Sequence, residues 1–253
     1  MRFASLGSGS RGNCTIIEHG STSILLDCGF SLRETTRRLA RLGKTPEDID
    51  AILITHEHGD HVRGAPMFAK KHGTELWMTE GTFRNYRQFE GYSPRFIDTS
   101  EPFSIKDMEV RPVAVPHDAA EPCQFLLTDG DINFGLLTDL GSITQPVVQH
   151  FIRCDALLLE CNHDLEMLQT GSYPASLIRR VAGEYGHLNN QQSAQFLASI
   201  DHSWLQHLVI AHVSEKNNSL ELAKNALMSV LQCPAEYIDV ADQEQGLDWR
   251  HIQ

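Results

Sequence analysis

The stretch Ala51-Ile52-Leu53-Ile54-Thr55-His56-Glu57-His58-Gly59-Asp60-His61 decides the reading of this chain. Residues 51–55 form an apolar run that predicts a short buried strand, and it leads directly into four metal-ligating side chains. At a strand end, residues two apart point the same way, so His56 and His58 can converge on one cation. Gly59 permits a sharp bend, after which Asp60 and His61 open a helix and face a neighbouring cation. Imidazole and carboxylate together suit zinc, with manganese or iron as alternatives. Four ligands leave two sites incomplete, so other segments must supply the rest.

Three further candidates each stand just after a predicted strand: His117 after Val110–Val115, Asp139 after Ile132–Leu137 and His212 after Leu208–Ala211. A lone histidine is usually structural. Recurrence at strand ends, where functional loops gather, sets this group apart. His19, His72, His150, His202, His207 and His251 lack that context and read as surface or core residues.

Working outward, Arg2–Leu6, Cys14–Glu18 and Thr22–Asp27 read as strands, the last two joined by the hairpin signal His19-Gly20-Ser21. A helix comes next, opened by Ser31 with Glu34 three residues on as a capping box, and closed by Gly43. Val62–His72 predicts one helix stopped by Gly73. From Glu75 to Gly135 the chain is strand and turn, with turns at Lys106-Asp107 and Asp129-Gly130-Asp131. The remainder alternates: helices near Ile143–Ile152, Pro174–Tyr185, Asn190–Ile200 and Ser219–Leu231, with strands Ala156–Leu159, Leu208–Ala211 and Glu236–Val240. Two layers of strands with helices outside make an α/β fold, a four-layer αββα sandwich, over 1–253 as a single domain.

A chain of 253 residues can bury a sizeable core. No apolar run approaches the ~18 residues of a membrane span, and the N-terminus has no secretory apolar region, so no membrane partner and a cytoplasmic location are expected. The six cysteines are scattered without a C-x-x-C pair, which predicts free buried thiols. A net charge of −12 argues against a general polyanion-binding surface but leaves room for a local basic groove. Arg11, Arg63, Arg84, Arg87, Arg179, Arg180 and Lys216 are the candidates for a focused basic rim. Arg33, Arg37, Arg38 and Arg41 read as a solvated helix face.

Gly7-Ser8-Gly9-Ser10-Arg11-Gly12 matches G-x-G-x-x-G after a strand, yet a dinucleotide site needs a helix at once. The segment from Asn13 to Gly20 is instead β-branched and broken by glycine, so no nucleotide cofactor is expected. Two readings remain for this turn: a purely structural one, and one that carries Ser8, Ser10 and Asn13 towards a substrate.

The series H-x-H-x-D-H with a separate His, Asp and His further along resembles that of metallo-β-lactamase-fold hydrolases, over nearly the whole chain including Asp27. The resemblance implies one ion at His56, His58 and His117, a second at Asp60, His61 and His212, and Asp139 bridging them. Gly7–Cys14, Pro116–Pro122, Thr138–Gly141, Glu160–Asp164, Gly186–Asn190 and Ala211–Asn218 narrow it to the YycJ/WalJ (also VicX) group. That group is regarded as DNA-directed, with 5′-to-3′ exonuclease activity on double-stranded DNA, so DNA is the implied substrate.

His187, ahead of a helix, is also similar in position to a residue of ribonuclease Z and other phosphodiesterases of this fold that contacts the scissile phosphate or leaving group. The plainer alternative is that it caps the helix near Asn189. His163 stands between lining the site and structure, and Lys216 is a candidate phosphate contact. The chain is too short for a β-CASP insertion and lacks a glycine-proline-rich tRNA-binding arm, so those RNA substrates are not expected.

The expected chemistry is hydrolysis of a phosphodiester by two cations ~3.5–4 Å apart that activate water at neutral pH. Asp60 would orient the nucleophile or accept its proton, and His187 would offset charge on the phosphoryl oxygens. Two readings compete. A thioesterase or lactonase would share the metals but show an apolar cleft, and a non-catalytic regulatory protein would bind partners without turnover.

Overall fold

In the computed structural model, which describes residues 1–253, two seven-stranded sheets face each other. The first half of the chain lays down β1 (Arg2–Gly7), β2 (Cys14–His19), β3 (Thr22–Leu26), β4 (Ala51–Leu53), β5 (Glu75–Met78) and β6 (Arg95–Phe96) side by side in that order. The second sheet runs, edge to edge, through β7 (Phe103–Ile105), β8 (Met108–Ala114), β9 (Cys123–Thr128), β10 (Asn133–Leu137), β11 (Ala156–Glu160), β12 (His207–Ala211) and β13 (Ile238–Val240). A last strand, β14 (Leu247–His251), crosses back and pairs antiparallel with β1. The strands β3 to β6 are parallel, as are β10 to β13, so the loops at their C-terminal ends collect along one rim of the sandwich.

Both faces of each sheet are buried, which is why the central strands read as continuous apolar runs. Alternate residues divide between layers: Leu26 and Leu53 join Phe3, Phe125, Phe134 and Val209 between the sheets, and the Phe3 and Phe134 rings meet at 5.0 Å. Leu25 and Ile52 face outward, under α1 (Leu32–Arg41), α2 (Gly59–Val62), α3 (Ala65–His72) and α4 (Glu80–Asn85), where Leu39, Val62 and Phe68 cover them. Leu157, Leu159 and Ile210 face the other outer layer, built from α5 (Gln145–His150), α6 (Leu165–Thr170), α7 (Ala175–Val181), α8 (Asn190–Ser199) and α9 (Leu220–Leu231). The layering is αββα. No helix is long and apolar enough to cross a membrane.

Several boundaries move from the expected ones. The helix expected over Val62–His72 is two: α2 already starts at Gly59, and the chain breaks at Arg63-Gly64 before Pro66 opens α3. Gly64 donates its N–H to the Cys28 carbonyl instead of to the helix. The helix expected over Pro174–Tyr185 is only α7, and Ala235–Tyr237 is a 3₁₀ turn before β13. β14, whose polar-apolar sequence Leu247-Asp248-Trp249-Arg250-His251 went unread, completes an edge. At α1, Ser31 accepts from the Glu34 N–H, but the Glu34 carboxylate is taken by Arg37 and Arg38 rather than returning to the cap. The reading of Arg38 as solvated is also corrected: it is 4% exposed, reaching in to donate to the Leu6 and Gln243 carbonyls. All six cysteines are free thiols, five of them buried. After the glycine turn the chain enters β2, not a helix.

Candidate metal centre

Strand ends at the rim deliver most of the side chains. Asp27 comes after β3, His56 and His58 after β4, and Asp60 and His61 sit in α2. His117 comes after β8, Asp139 after β10 and His212 after β12, while Glu160 ends β11. Asp27, Asp139 and His212 take left-handed backbone conformations, with φ of +60°, +53° and +52°. A residue with a Cβ enters this region at a cost of about 1–3 kcal/mol, and such strain gathers where a site demands a particular aim. Here it turns the chain sharply off the strand so that the side chain points inward.

The potential donor atoms lie within 4.8 Å of one another in four overlapping groups: His56, His58 and His117; His56, His61 and Asp139; Asp60, His61 and His212; and Asp139, Glu160, His187 and His212. Asp139 belongs to two of them, its Oδ2 3.2 Å from His61 Nε2 and its Oδ1 3.9 Å from His117 Nε2. Four ring nitrogens are held from behind. His61 Nδ1 sits 2.7 Å from Asp27 Oδ2, His56 Nδ1 2.9 Å from Thr55 Oγ1, His117 Nδ1 3.0 Å from the Gly186 carbonyl and His212 Nδ1 3.2 Å from Glu160 Oε1. An Nδ1 so engaged fixes the ring and leaves Nε2 to face a cation. His56 Nε2 and Asp139 Oδ2 are buried without any hydrogen-bond partner, which leaves their lone pairs free for a cation. The residues fit a divalent cation.

Burial would raise the Asp60 carboxyl, but His61 and His212 outweigh it and hold the group well below the usual carboxylate range. Glu160, buried yet set against His187 and His212, falls to about 2. Conversely, burial opposes the charged form of His212, and Asp139, Asp60 and Glu160 overcome it and lift the imidazole to about 10. His187 moves up for the same reason, with Glu160 and Asp139 beside it. Burial wins at His56 and His117, which are pushed down and stay neutral, the form in which imidazole ligates.

A pocket of about 330 Å³ opens over these groups, lined by Ser10, His58, Asp60, Asp139, His187 and His212 among others. Other candidates lie elsewhere. Ser8 donates to Asn13 Oδ1 and accepts from the His212 N–H, while Asn13 Nδ2 reaches 3.4 Å from Asp60 Oδ2, so this pair braces the donors from behind. His163 is wholly buried beside Asn162 and is not among the pocket-lining residues. Lys216 is exposed at the mouth. His187 lines the pocket with Nδ1 2.8 Å from Glu160 Oε1; the helix cap is Asn189 instead. Gly59 is corrected: its φ is ordinary and a Cβ there would meet open space, so its smallness leaves the pocket clear rather than making the bend. Of the basic rim, Arg11 is paired with Glu215 and Glu244, Arg84 with Glu80 and Arg180 with Asp118.

Glu160 is the residue that sequence reasoning passed over. The rule that found Asp139 and His212 also points to it, since it is the polar residue closing the apolar run Ala156–Leu159.

Residues 22–212 match the family described as Beta-lactamase superfamily domain. The exodeoxyribonuclease WalJ of Streptococcus pneumoniae serotype 2 (strain D39) is 31% identical over 237 residues, 91% of this chain and 88% of that protein. The chain belongs to the WalJ/YycJ family of metallo-β-lactamase-fold proteins. A second WalJ/YycJ relative, the exodeoxyribonuclease YycJ of Bacillus anthracis, is 31% identical over 92% of this chain and 89% of its own length. The fold is likewise that of the metallo-β-lactamase fold protein YhfI from Bacillus subtilis, 14% identical, with a TM-score of 0.75 over 98% of each chain. WalJ/YycJ membership together with the His/Asp clusters makes this chain a hydrolase that uses divalent metal.

Proposed function

We propose that the protein is a dinuclear metal-dependent phosphodiesterase that shortens double-stranded DNA from its 5′ ends. One observation carries the reading: donors from separate segments of the chain share a single pocket, with Asp139 common to two donor groups. His56, His58 and His117 would hold one ion, Asp60, His61 and His212 a second, and Asp139 both; zinc suits this set. Relatives named exodeoxyribonuclease, alike over nine-tenths of the chain, support DNA as the substrate. The polar lining of the pocket supports a phosphodiester over the apolar thioester or lactone that a small-molecule hydrolase of this fold would take.

Bound there, divalent cations would supply Lewis-acid polarisation of the phosphoryl oxygen and a water acidic enough to react near neutral pH. The remaining work falls to side chains. Asp60, kept ionised, accepts a hydrogen bond from the attacking water and orients it. Asp27 and Thr55 hold the His61 and His56 rings. Glu160 engages His187 Nδ1 and favours its protonated form, so His187 donates a hydrogen bond to the departing oxygen and then its proton.

End-labelled duplex with zinc or manganese tests the reading. The parent should release label from the 5′ end, and Asp60→Ala should lower turnover by at least about 100-fold. A folded, metal-loaded parent that leaves duplex intact while hydrolysing a thioester would sink it.

A further inference from the structure

Between α6 and His187 the chain forms one wall of the pocket, yet none of the residues from Gln169 to Tyr185 is fully buried. A wall without a core of its own is fastened at points. Here the points are the Asp118 N–H donating to the Tyr185 carbonyl (3.0 Å), the His187 N–H donating to the Val181 carbonyl (2.9 Å), and Arg180 paired with Asp118.

The segment brings Tyr173 and Arg180 into the pocket lining. Across from Tyr173 stands Lys216, its Nζ 5.8 Å from the ring centroid. Arg180 engages Asp118 Oδ2, and the other oxygen of that carboxylate lies 3.5 Å from His117 Nε2 and 3.9 Å from His58 Nε2. An anionic group therefore already bridges Arg180 and two of the metal donors, the arrangement a diester phosphate must also satisfy. Asn217, wholly buried in the same lining, keeps an Oδ1 acceptor without a donor. In a chain of net charge −12, cationic groups, an aromatic face and a spare acceptor meet at one edge of the pocket.

We infer that the Gln169–Tyr185 segment carries the subsite for the terminal nucleotide of a DNA duplex, with Tyr173 stacking on its base and Arg180 and Lys216 contacting successive phosphates. The inference rests on the phosphodiesterase reading above and adds to it. Asp118 acts as a placeholder: an incoming phosphate takes over Arg180, exchanging one anion for another. Stacking is indifferent to base identity, which suits an enzyme that consumes any sequence from an end.

The test uses metal-loaded protein and a short blunt duplex whose terminal linkages are hydrolysis-resistant phosphorothioates, with binding read by fluorescence anisotropy. Tyr173→Ala should weaken binding about tenfold and Tyr173→Phe by no more than about twofold. Arg180→Ala should weaken binding and reduce the slope of log K against log salt by about one. A duplex with an abasic terminal nucleotide should bind the parent as weakly as Tyr173→Ala binds the intact one. With cleavable duplex, the Tyr173→Ala loss should fall on KM rather than kcat. If Tyr173→Ala binds intact duplex like the parent, or the abasic end makes no difference, the inference is overturned. It then falls alone if the parent still cuts duplex and Asp60→Ala does not. A parent that neither binds nor cuts duplex overturns both.

Discussion

Asp27 does not line the pocket over the metal centre, yet the position of His61 depends on it. The carboxylate is 2% exposed: its Oδ1 accepts from the Thr55 N–H, the Thr55 hydroxyl lies 3.1 Å from Oδ1 and 3.0 Å from Oδ2, and Oδ2 faces His61 Nδ1 at 2.7 Å. Asparagine at this position puts a donor where an acceptor is needed, on one side or the other, and frees the ring to turn. Asp27→Asn is therefore expected to cost about 10–100-fold in zinc affinity, read by chelator competition. Unchanged affinity would show that His61 is held by other means. A similar argument applies at Gly141, where an added Cβ would stand 2.4 Å from both the Glu184 carbonyl oxygen and the Gly186 nitrogen. Gly141→Ala must push back the turn that carries His187 and the Gly186 carbonyl behind His117, which should appear as lost turnover together with weakened zinc affinity. The metal ligands were legible because imidazole and carboxylate at successive strand ends are rare by chance. Ser8, Asn13 and Glu160 were harder to place, because their roles are set by partners 27 to 204 residues away.

Among the elements, α1 shows how a charged helix face can be part of the frame. Its Glu34 ties Arg37 and Arg38, and Arg38 in turn holds the Leu6 and Gln243 carbonyls beside the glycine turn. The Arg37 hydrogen bond leads the effects on Glu34, Arg38 adds to it against burial, and the carboxyl drops to about 2. A carboxyl lowered in the folded state stabilises above its unfolded value near 4.3 and loses that contribution as pH falls towards 2. Glu34→Gln should thus cost about 1–2 kcal/mol at pH 7, with the gap from the parent narrowing between pH 4.5 and pH 3 in thermal melts. A constant gap would mean that packing rather than charge is lost. Arginines spaced along a helix look solvated in sequence because the periodicity of α1 does not reveal a carbonyl contributed from residue 243. The hairpins and the central strands were legible, since turn chemistry and apolar runs are local. The break before α3 and the strand β14 were not, because tertiary pairing decides both.

At the scale of the whole molecule, the centre joins both sheets. The donors of the first sheet lie before residue 62 and those of the second after 116, so a bound cation cross-links the sandwich. Ligand that binds only the folded state at about 100 times its Kd adds about 2.7 kcal/mol. For a chain of this size that is a rise of about 5–10 °C in Tm, which chelation should remove in a scanning melt. An unmoved Tm would argue that the two halves are fastened without metal. The left-handed residues at the strand ends carry a further consequence. Glycine at 27, 139 or 212 would relax the backbone and delete a working side chain in the same step. The same exchange gives up the cation that fastens the two halves, so endurance and zinc retention run together at these three positions, and a laboratory selection for heat resistance should keep all of them.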